Sequence, residues 1–358
     1  MKYLNYQIED LKSLGGFNTA KEICSQPRHW GETYLKIVKE KGTILKFLEK
    51  VFRNDCIDVI LTGAGTSAFI GETLVGEFQK KLNVSCRAIS TTDIITHPEN
   101  YFLKTRSTLL ISFARSGDSP ESVAAVELAK QYCDDLYEFN ITCNKEGALA
   151  KRTGDINSYV LLLPEETNDI SLAMTSSFSS MLLAGFLILN IDEIGRIEPL
   201  IKRIQQSGDF ILKQCLPDLK KIAEMSFGRM VFLGSGPLTG IAHESHLKVQ
   251  EMTDGQIICK HDSFLGFRHG PKAVVNDKTV VVYLLSNNSI TKQYELDLVR
   301  SVNETNAGEI SVAIGCNFEK AELEFDFSIQ FPDEVKGIPE HFLSVFYILP
   351  AQIIGFYK

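Results

Sequence analysis

Short apolar runs recur along this 358-residue chain, and the stretches between them carry apolar residues at three- and four-residue spacing. Runs bounded by Gly, Ser or Pro predict buried strands, while the longer periodic stretches predict helices. The first half shows Asp58–Thr62 ahead of Gly63-Ala64-Gly65, Thr108–Phe113 ahead of a Ser-rich loop, Leu136–Cys143, and Tyr159–Leu163 ending at Pro164. The second half repeats this plan with Met230–Leu233 ahead of Gly234-Ser235-Gly236, Thr279–Leu285, Ile310–Gly315, and Ser328–Phe331 ending at Pro332. One constant offset relates Gly63 to Gly234, Thr108 to Thr279 and Ile141 to Val312; only the fourth pair slips. Such a register reads as an internal duplication. Strands alternating with helices favour parallel sheets covered on both faces, an α/β class.

Ahead of the first strand the chain reads as a helical arm. Thr19-Ala20-Lys21-Glu22 has capping-box form, and Thr33–Phe52 carries apolar residues at helical spacing. Gln26-Pro27 predicts a break there, hence two helices. Ser171–Ile191 and Glu198–Phe227 predict long helices between the halves. These elements divide the chain into an arm (1–50), a first domain (51–200) and a second domain (201–358).

The run Glu244–Pro271 departs from ordinary patterning. It opens as a helix on which Leu247, Gln250, Glu251 and Asp254 share a face, with Lys248 one turn before Glu251. That stripe is too polar for a core face. The helix is expected to stop at Gly255, and an irregular segment leads to Phe267-Arg268-His269-Gly270-Pro271, where Gly-Pro forces a turn that fixes His269. Taken singly, Glu251 fits a solvated face and His269 a structural turn. Taken with Lys248, they are the groups needed to open a sugar ring and move a proton beside a carbonyl.

Composition narrows the class. Hydrophobic residues make up 44% and charged residues 23%, ordinary for a globular protein, and the net charge of −8 offers no basic surplus for nucleic acid. The eight cysteines are scattered without C-x-x-C spacing and read as reduced, mostly buried thiols. Met1–Asp10 is polar and acidic, unlike a signal peptide, and no apolar stretch is long enough to span a bilayer. The expectation is a cytoplasmic protein with no membrane or nucleic-acid partner.

Gly63-Ala64-Gly65-Thr66-Ser67-Ala68 fits G-x-G-x-x-A at a strand-to-helix turn. A dinucleotide fold would place an acid near the end of the second strand, yet Val84–Ala88 has none and the next acid is Asp93. Thr66 and Ser67 suit an isolated phosphate at a helix N-terminus better. Arg115-Ser116-Gly117-Asp118-Ser119-Pro120 strengthens that view: Ser116, Gly117 and Ser119 lie between a strand and a helix, where N–H groups, hydroxyls and the helix dipole converge on an anion. An ordinary Ser/Pro helix cap is the alternative. Asp118 must then point away. The duplicate has Asn287 and Asn288 in place of Ser116 and Gly117, so one half is expected to bind phosphate and the other to supply catalysis. Thr175 and Ser176, opening the next long helix, would meet the same ligand or merely cap.

These motifs, GAGTS, SFARSGDSPES, NITCNKEGALA, LAMTSSFSSM, FLGSGP and SFLGFRHGPKAV, resemble the sugar isomerase (SIS) domain, here as a tandem pair from about Val51 onward. Together they look most like the bacterial family that deaminates and isomerises galactosamine 6-phosphate, also called tagatose-6-phosphate ketose/aldose isomerases. Gln26-Pro27-Arg28-His29-Trp30 fits that family too. The resemblance implies two parallel five-stranded sheets flanked by helices. By analogy with the isomerase half of glucosamine-6-phosphate synthase, it implies Glu251 as the catalytic base, Lys248 beside it, and His269 as the ring-opening group acting from a partner subunit. A homodimer or dimer of dimers with shared sites follows. The synthase's glutamine-hydrolysing domain has no counterpart here, so channelled ammonia-dependent synthesis is not expected. Relatives also continue past the helix in which Phe356-Tyr357-Lys358 lies, into a tail that closes over the sugar.

On this reading Thr66, Ser67, Ser116, Gly117 and Ser119 hold the phosphate, with Gly65, Arg115, Thr175 and Ser176 lining the sugar. Glu251 would be buried, as a base of this kind requires. No cofactor and no metal is expected; His243 and His246, three apart, read as a helix-surface pair. Plain aldose–ketose isomerisation is the nearest alternative. A sugar-phosphate-sensing regulator is remoter, because the arm lacks a basic recognition helix.

Overall fold

The computed structural model describes residues 2–53, 56–152, 156–304, 309–316 and 323–358. The chain forms two compact units, Arg28–Ile201 and Met1–Pro27 with Lys202–Lys358. The predicted arm is therefore divided between the two units, and the boundary falls inside one helix.

The unit of residues 28–201 is built on a parallel sheet of β1 (Ile57–Thr62), β2 (Ser85–Ala88), β3 (Ser107–Ala114), β4 (Leu136–Thr142) and β5 (Ser158–Leu162), in the order β2-β1-β3-β4-β5. The other unit repeats this order with β6 (Arg229–Gly234), β7 (Ile258–Ser263), β8 (Thr279–Leu284), β9 (Ile310–Gly315) and β10 (Phe327–Gln330), arranged β10-β9-β8-β6-β7. Every residue of β1, β3 and β8 is buried, as both faces of a parallel sheet require. In each unit the second strand escaped the apolar pattern. Ser-Cys-Arg-Ala and Ile-Cys-Lys-His-Asp-Ser are edge strands, half open to solvent, so they carry little hydrophobic signature.

Helix α1 runs unbroken from Phe17 to Val51, with Pro27 inside it. The expected break does not occur because a local substitute satisfies the backbone. Pro27 has no N–H to give the carbonyl of Ile23, and the Gln26 side chain supplies that bond at 3.3 Å. The same Nε2 donates to Gln352 Oε1 at 2.6 Å. Thr19-Ala20-Lys21-Glu22 therefore lies inside α1 and not ahead of its first turn. Trp30 is fully buried and donates to Ser179 Oγ at 2.9 Å.

The longer of the remaining helices are α2 (Thr66–Leu82), α3 (Pro120–Tyr132), α4 (Ser176–Leu189), α5 (Glu198–Phe210), α6 (Leu216–Glu224), α7 (Pro237–Met252), α8 (Ser289–Asn303), α9 (Glu340–Tyr347) and α10 (Leu349–Tyr357). The single helix expected over 198–227 is interrupted by a π-turn at Ile211–Cys215, just ahead of Pro217. Helix α7 packs on β6 and β7 and on α9 and α10. It starts earlier than expected and ends at Met252; Asp254 (φ 50°) and Gly255 (φ 73°) turn the chain away. Among the described residues no helix is long and apolar enough to cross a membrane. All eight cysteines are free thiols, five of them buried.

Candidate active site

In the first unit β1 and β3 are neighbours, but the chain leaves β1 toward β2 on one side and β3 toward β4 on the other. Such a switch point opens a crevice at the carboxyl ends of the two strands. Both loops singled out in the sequence lie there. Gly65 has φ 53°, open to glycine, and leads into α2, where Thr66 and Ser67 are buried. After β3, Gly117 has φ 67° and Ser116 is half-buried.

The surroundings fix this second loop. Asn144 Nδ2 donates to the Ser116 carbonyl at 3.0 Å, and any Cβ at Gly147 would lie 2.2 Å from the same oxygen. The carboxylate of Asp118 accepts the Ala148 N–H at 2.8 Å, which holds it against the neighbouring loop. Ser119 caps α3, accepting the Ser122 N–H at 3.2 Å and donating to Ser122 Oγ at 2.7 Å. Ser122 is buried beside it. Arg115 reaches outward and donates to the carbonyls of Ser171 (2.8 Å) and Leu172 (3.2 Å).

Thr175 and Ser176, expected to meet the ligand or to cap, are bonded to an acid at the start of α4. Both are fully buried, and Asp169 accepts the N–H groups of Thr175, Ser176 and Ser177 at 2.8–3.0 Å together with two of their hydroxyls. Ser176 Oγ also lies 3.2 Å from His29 Nδ1. A protein carboxylate thus occupies the N-terminus of α4, which explains why this helix begins at Ser176 and not at Ser171.

The duplicate loop is satisfied by acids as well. Ser286, after β8, gives its N–H to Glu295 Oε2 at 2.8 Å and its hydroxyl to Glu340. Asn287 is tied to the Ile338 carbonyl at 2.7 Å, and Asn288 caps α8. Burial pushes Glu295 up to about 7, Glu340 adds to that, and hydrogen bonds from Ser286 and Ser235 oppose it. A phosphate has no welcome beside two carboxylates.

On α7, Lys248 is buried with 1% of its side chain exposed, and its Nζ lies 2.5 Å from Glu251 Oε2 and 3.5 Å from Glu244 Oε1. Glu244 is fully buried; Glu251 keeps 33% of its side chain exposed. The expectation of a buried Glu251 therefore fails within one chain, because its position near the end of α7 leaves one side open. What is buried is the ammonium that grips it. Glu244 was overlooked, although its i,i+4 spacing to Lys248 was readable. His269 is exposed on a turn pinned by Phe264 and Phe267, both fully buried in the core around Val231, Leu233 and Tyr283. Gly270, at φ 116°, allows the turn, and Arg268 pairs with Asp297 at 2.7 Å.

An apolar cavity lined by Leu45, Leu48, Phe78, Leu109, Ile111 and Ile188 also lies in the first unit. It has too few polar groups to hold a sugar phosphate.

The doubly wound parallel sheets carry a hydroxyl-rich switch point in the first unit, and residues 54–191 match the SIS domain. Over 354 residues the chain is 40% identical to D-galactosamine-6-phosphate deaminase AgaS of Shewanella sp. (strain ANA-3), covering 98% of this chain and 87% of that one. The Escherichia coli D-galactosamine-6-phosphate deaminase AgaS is 39% identical over 305 residues, 83% of this chain and 77% of its own. A crystal structure of tagatose-6-phosphate ketose/aldose isomerase from Escherichia coli matches with a TM-score of 0.88 at 35% identity, covering 96% and 94% of the two chains. The chain belongs to the AgaS family of D-galactosamine-6-phosphate deaminases.

Proposed function

We propose that this protein converts galactosamine 6-phosphate to tagatose 6-phosphate and ammonia. The observation that carries the chemistry is the open carboxylate of Glu251 held 2.5 Å from a buried ammonium. One face of the carboxylate remains accessible to a substrate carbon, while Lys248 fixes its rotamer and supplies positive charge where an oxyanion develops. Thr66, Ser67, Ser116 and the N–H groups around Gly117 hold the phosphate, and that remote binding energy positions C1 and C2. Ser119 contributes through the cap it makes on α3.

The reaction runs from the cyclic amino sugar. His269 passes a proton between O1 and O5 to open the ring. Glu251 takes the C2 proton, giving an enolamine, and returns a proton at C1 to give the ketimine. Water adds at C2, the C–N bond breaks, and ammonia leaves with a 2-keto sugar behind. An exposed His269 on a rigid turn suits a group offered to a second copy of the chain, so the reading includes a homodimer. Free, mostly buried thiols fit a cytoplasmic setting.

The test is Glu251→Gln, which keeps shape and hydrogen bonding but removes the base. The variant should bind galactosamine 6-phosphate, release no ammonia, and fail to exchange the C2 hydrogen with solvent deuterium. Exchange at the parental rate would transfer the role to another base. Parental exchange on tagatose 6-phosphate with no ammonia from the amino sugar would favour plain isomerisation instead.

A further inference from the structure

The proposed chemistry uses only His269 of the seven histidines, and three of the others lie together. His243 and His246 project from α7, and His261 projects from β7 toward the same helix, bringing the ring centroids of His243 and His261 to 3.7 Å. His246 stands 5.2 Å from His243 and 4.9 Å from His261. One ring nitrogen from each lies within 4.8 Å of those from the others. We propose that His243, His246 and His261 form a site for one divalent transition ion of the zinc class, which cross-links helix α7 to edge strand β7.

Several features favour this over a chance meeting of three rings. His246 Nδ1 is hydrogen-bonded to the His243 carbonyl. A carbonyl only accepts, so Nδ1 carries the proton and Nε2 carries the lone pair, the tautomer a metal takes. Lys260 and Asp262 fall on the other face of β7 by strand alternation and pair with each other at 3.3 Å. The fold itself does not ask for imidazoles here. The offset that relates Gly63 to Gly234 places Glu72 and Val75 at the positions of His243 and His246, and strand pairing places Ala88 at that of His261.

Imidazole donors select zinc, cobalt, nickel or copper over magnesium and calcium. Tetrahedral ligands about 2.0–2.1 Å from a metal lie roughly 3.3 Å apart, so small side-chain rotations close the present spacing. Three protein nitrogens leave a fourth position for water. The ion would hold an edge strand that pairs on one side only, between the helix carrying Lys248 and Glu251 and the turn carrying His269.

The experiment uses the full chain after chelator treatment, titrated with Co²⁺ alone and then Zn²⁺ alone. Expected are one equivalent of Co²⁺ with the visible bands of tetrahedral cobalt, displacement by Zn²⁺, and a rise in melting temperature with Zn²⁺ but not Mg²⁺. His261→Asn and His243→Asn should lose both the bands and the melting shift, whereas His97→Asn, at an exposed histidine elsewhere, should keep them. Circular dichroism matching the parent shows that the variants fold; if they do not, loss of the parent's cobalt bands on alkylation of its histidines, prevented by prior Zn²⁺, gives the same answer. No bands in the parent, or bands that survive in His261→Asn, would overturn the site. None of these readouts depends on catalysis, so they stand apart from the fate of Glu251.

Discussion

Replacing Lys248 by Met keeps the length of the side chain and deletes its charge. Two carboxylates lose their countercharge together, and they are not equivalent. Glu251 is partly in water and tolerates the loss; Glu244 is fully buried 3.5 Å from Nζ. At that distance, with an effective dielectric constant of about 20, the Lys248–Glu244 attraction is about 5 kcal/mol. Desolvation of both ions offsets much of it, so the intact pair adds little net stability. Breaking it is the costly event, about 3–5 kcal/mol when one buried partner goes. Lys248→Met should therefore lower the urea midpoint sharply, while Glu244→Gln/Lys248→Met should recover most of the loss. Activity should stay low in both, since Glu251 has lost its grip. A parental midpoint for Lys248→Met alone would refute the reasoning, as would a double variant no more stable than the single one.

Glu295 makes stability depend on pH. Folding raises it from an ordinary 4.5 to about 7, so its contribution is full below about 4.5 and is lost as pH rises through 7, by about 3 kcal/mol in all. Urea midpoints from pH 5 to 8 should fall more steeply for the parent than for Glu295→Gln; parallel curves would count against it. Ser116→Ala should weaken sugar-phosphate binding by about 1.5–3 kcal/mol, ten- to a hundredfold, in calorimetry. Asn287→Ala should leave affinity unchanged and cost only the bond to Ile338. His269→Asn should lose activity on the cyclic substrate yet recover part of it on an acyclic analogue, because ring opening comes first.

The apolar pattern located the strands that lie inside each sheet, since those are buried on both faces and must be apolar throughout. It passed over β2 and β7, whose edge positions let polar residues in. Pro27 misled for a related reason: proline predicts a break through its missing N–H, and nothing in the local pattern shows that Gln26 repairs the ladder. The tight turn after β3 was legible because glycine at a strand-to-helix junction is written in the residues themselves. The bonds from Thr175 and Ser176 to Asp169 were not, because that carboxylate is distinguished only by where the chain brings it. His261 joined His243 and His246 only through the pairing of β7 beside β6.

The duplication also shows where chemistry was free to diverge. Sheet order and register are held by residues buried on both faces, so the two units keep them. The helix after the first strand of each unit meets the sheet along one face only and rests on other helices elsewhere. The offset that pairs Gly63 with Gly234 pairs Glu77 and Lys80 of α2 with Lys248 and Glu251 of α7. The signs are reversed, and so is the environment. Lys80 is 78% exposed and lies 3.7 Å from Glu77, a surface pair worth about 0–1 kcal/mol. Lys248 is sealed beside a buried Glu244, whose counterpart in α2 is Thr73. A buried acid is what commits the ammonium of α7 to the interior and leaves Glu251 facing out. The same helix position without that acid carries an ordinary solvated pair, so Glu244 sets the buried ammonium of α7 apart from the solvated one of α2.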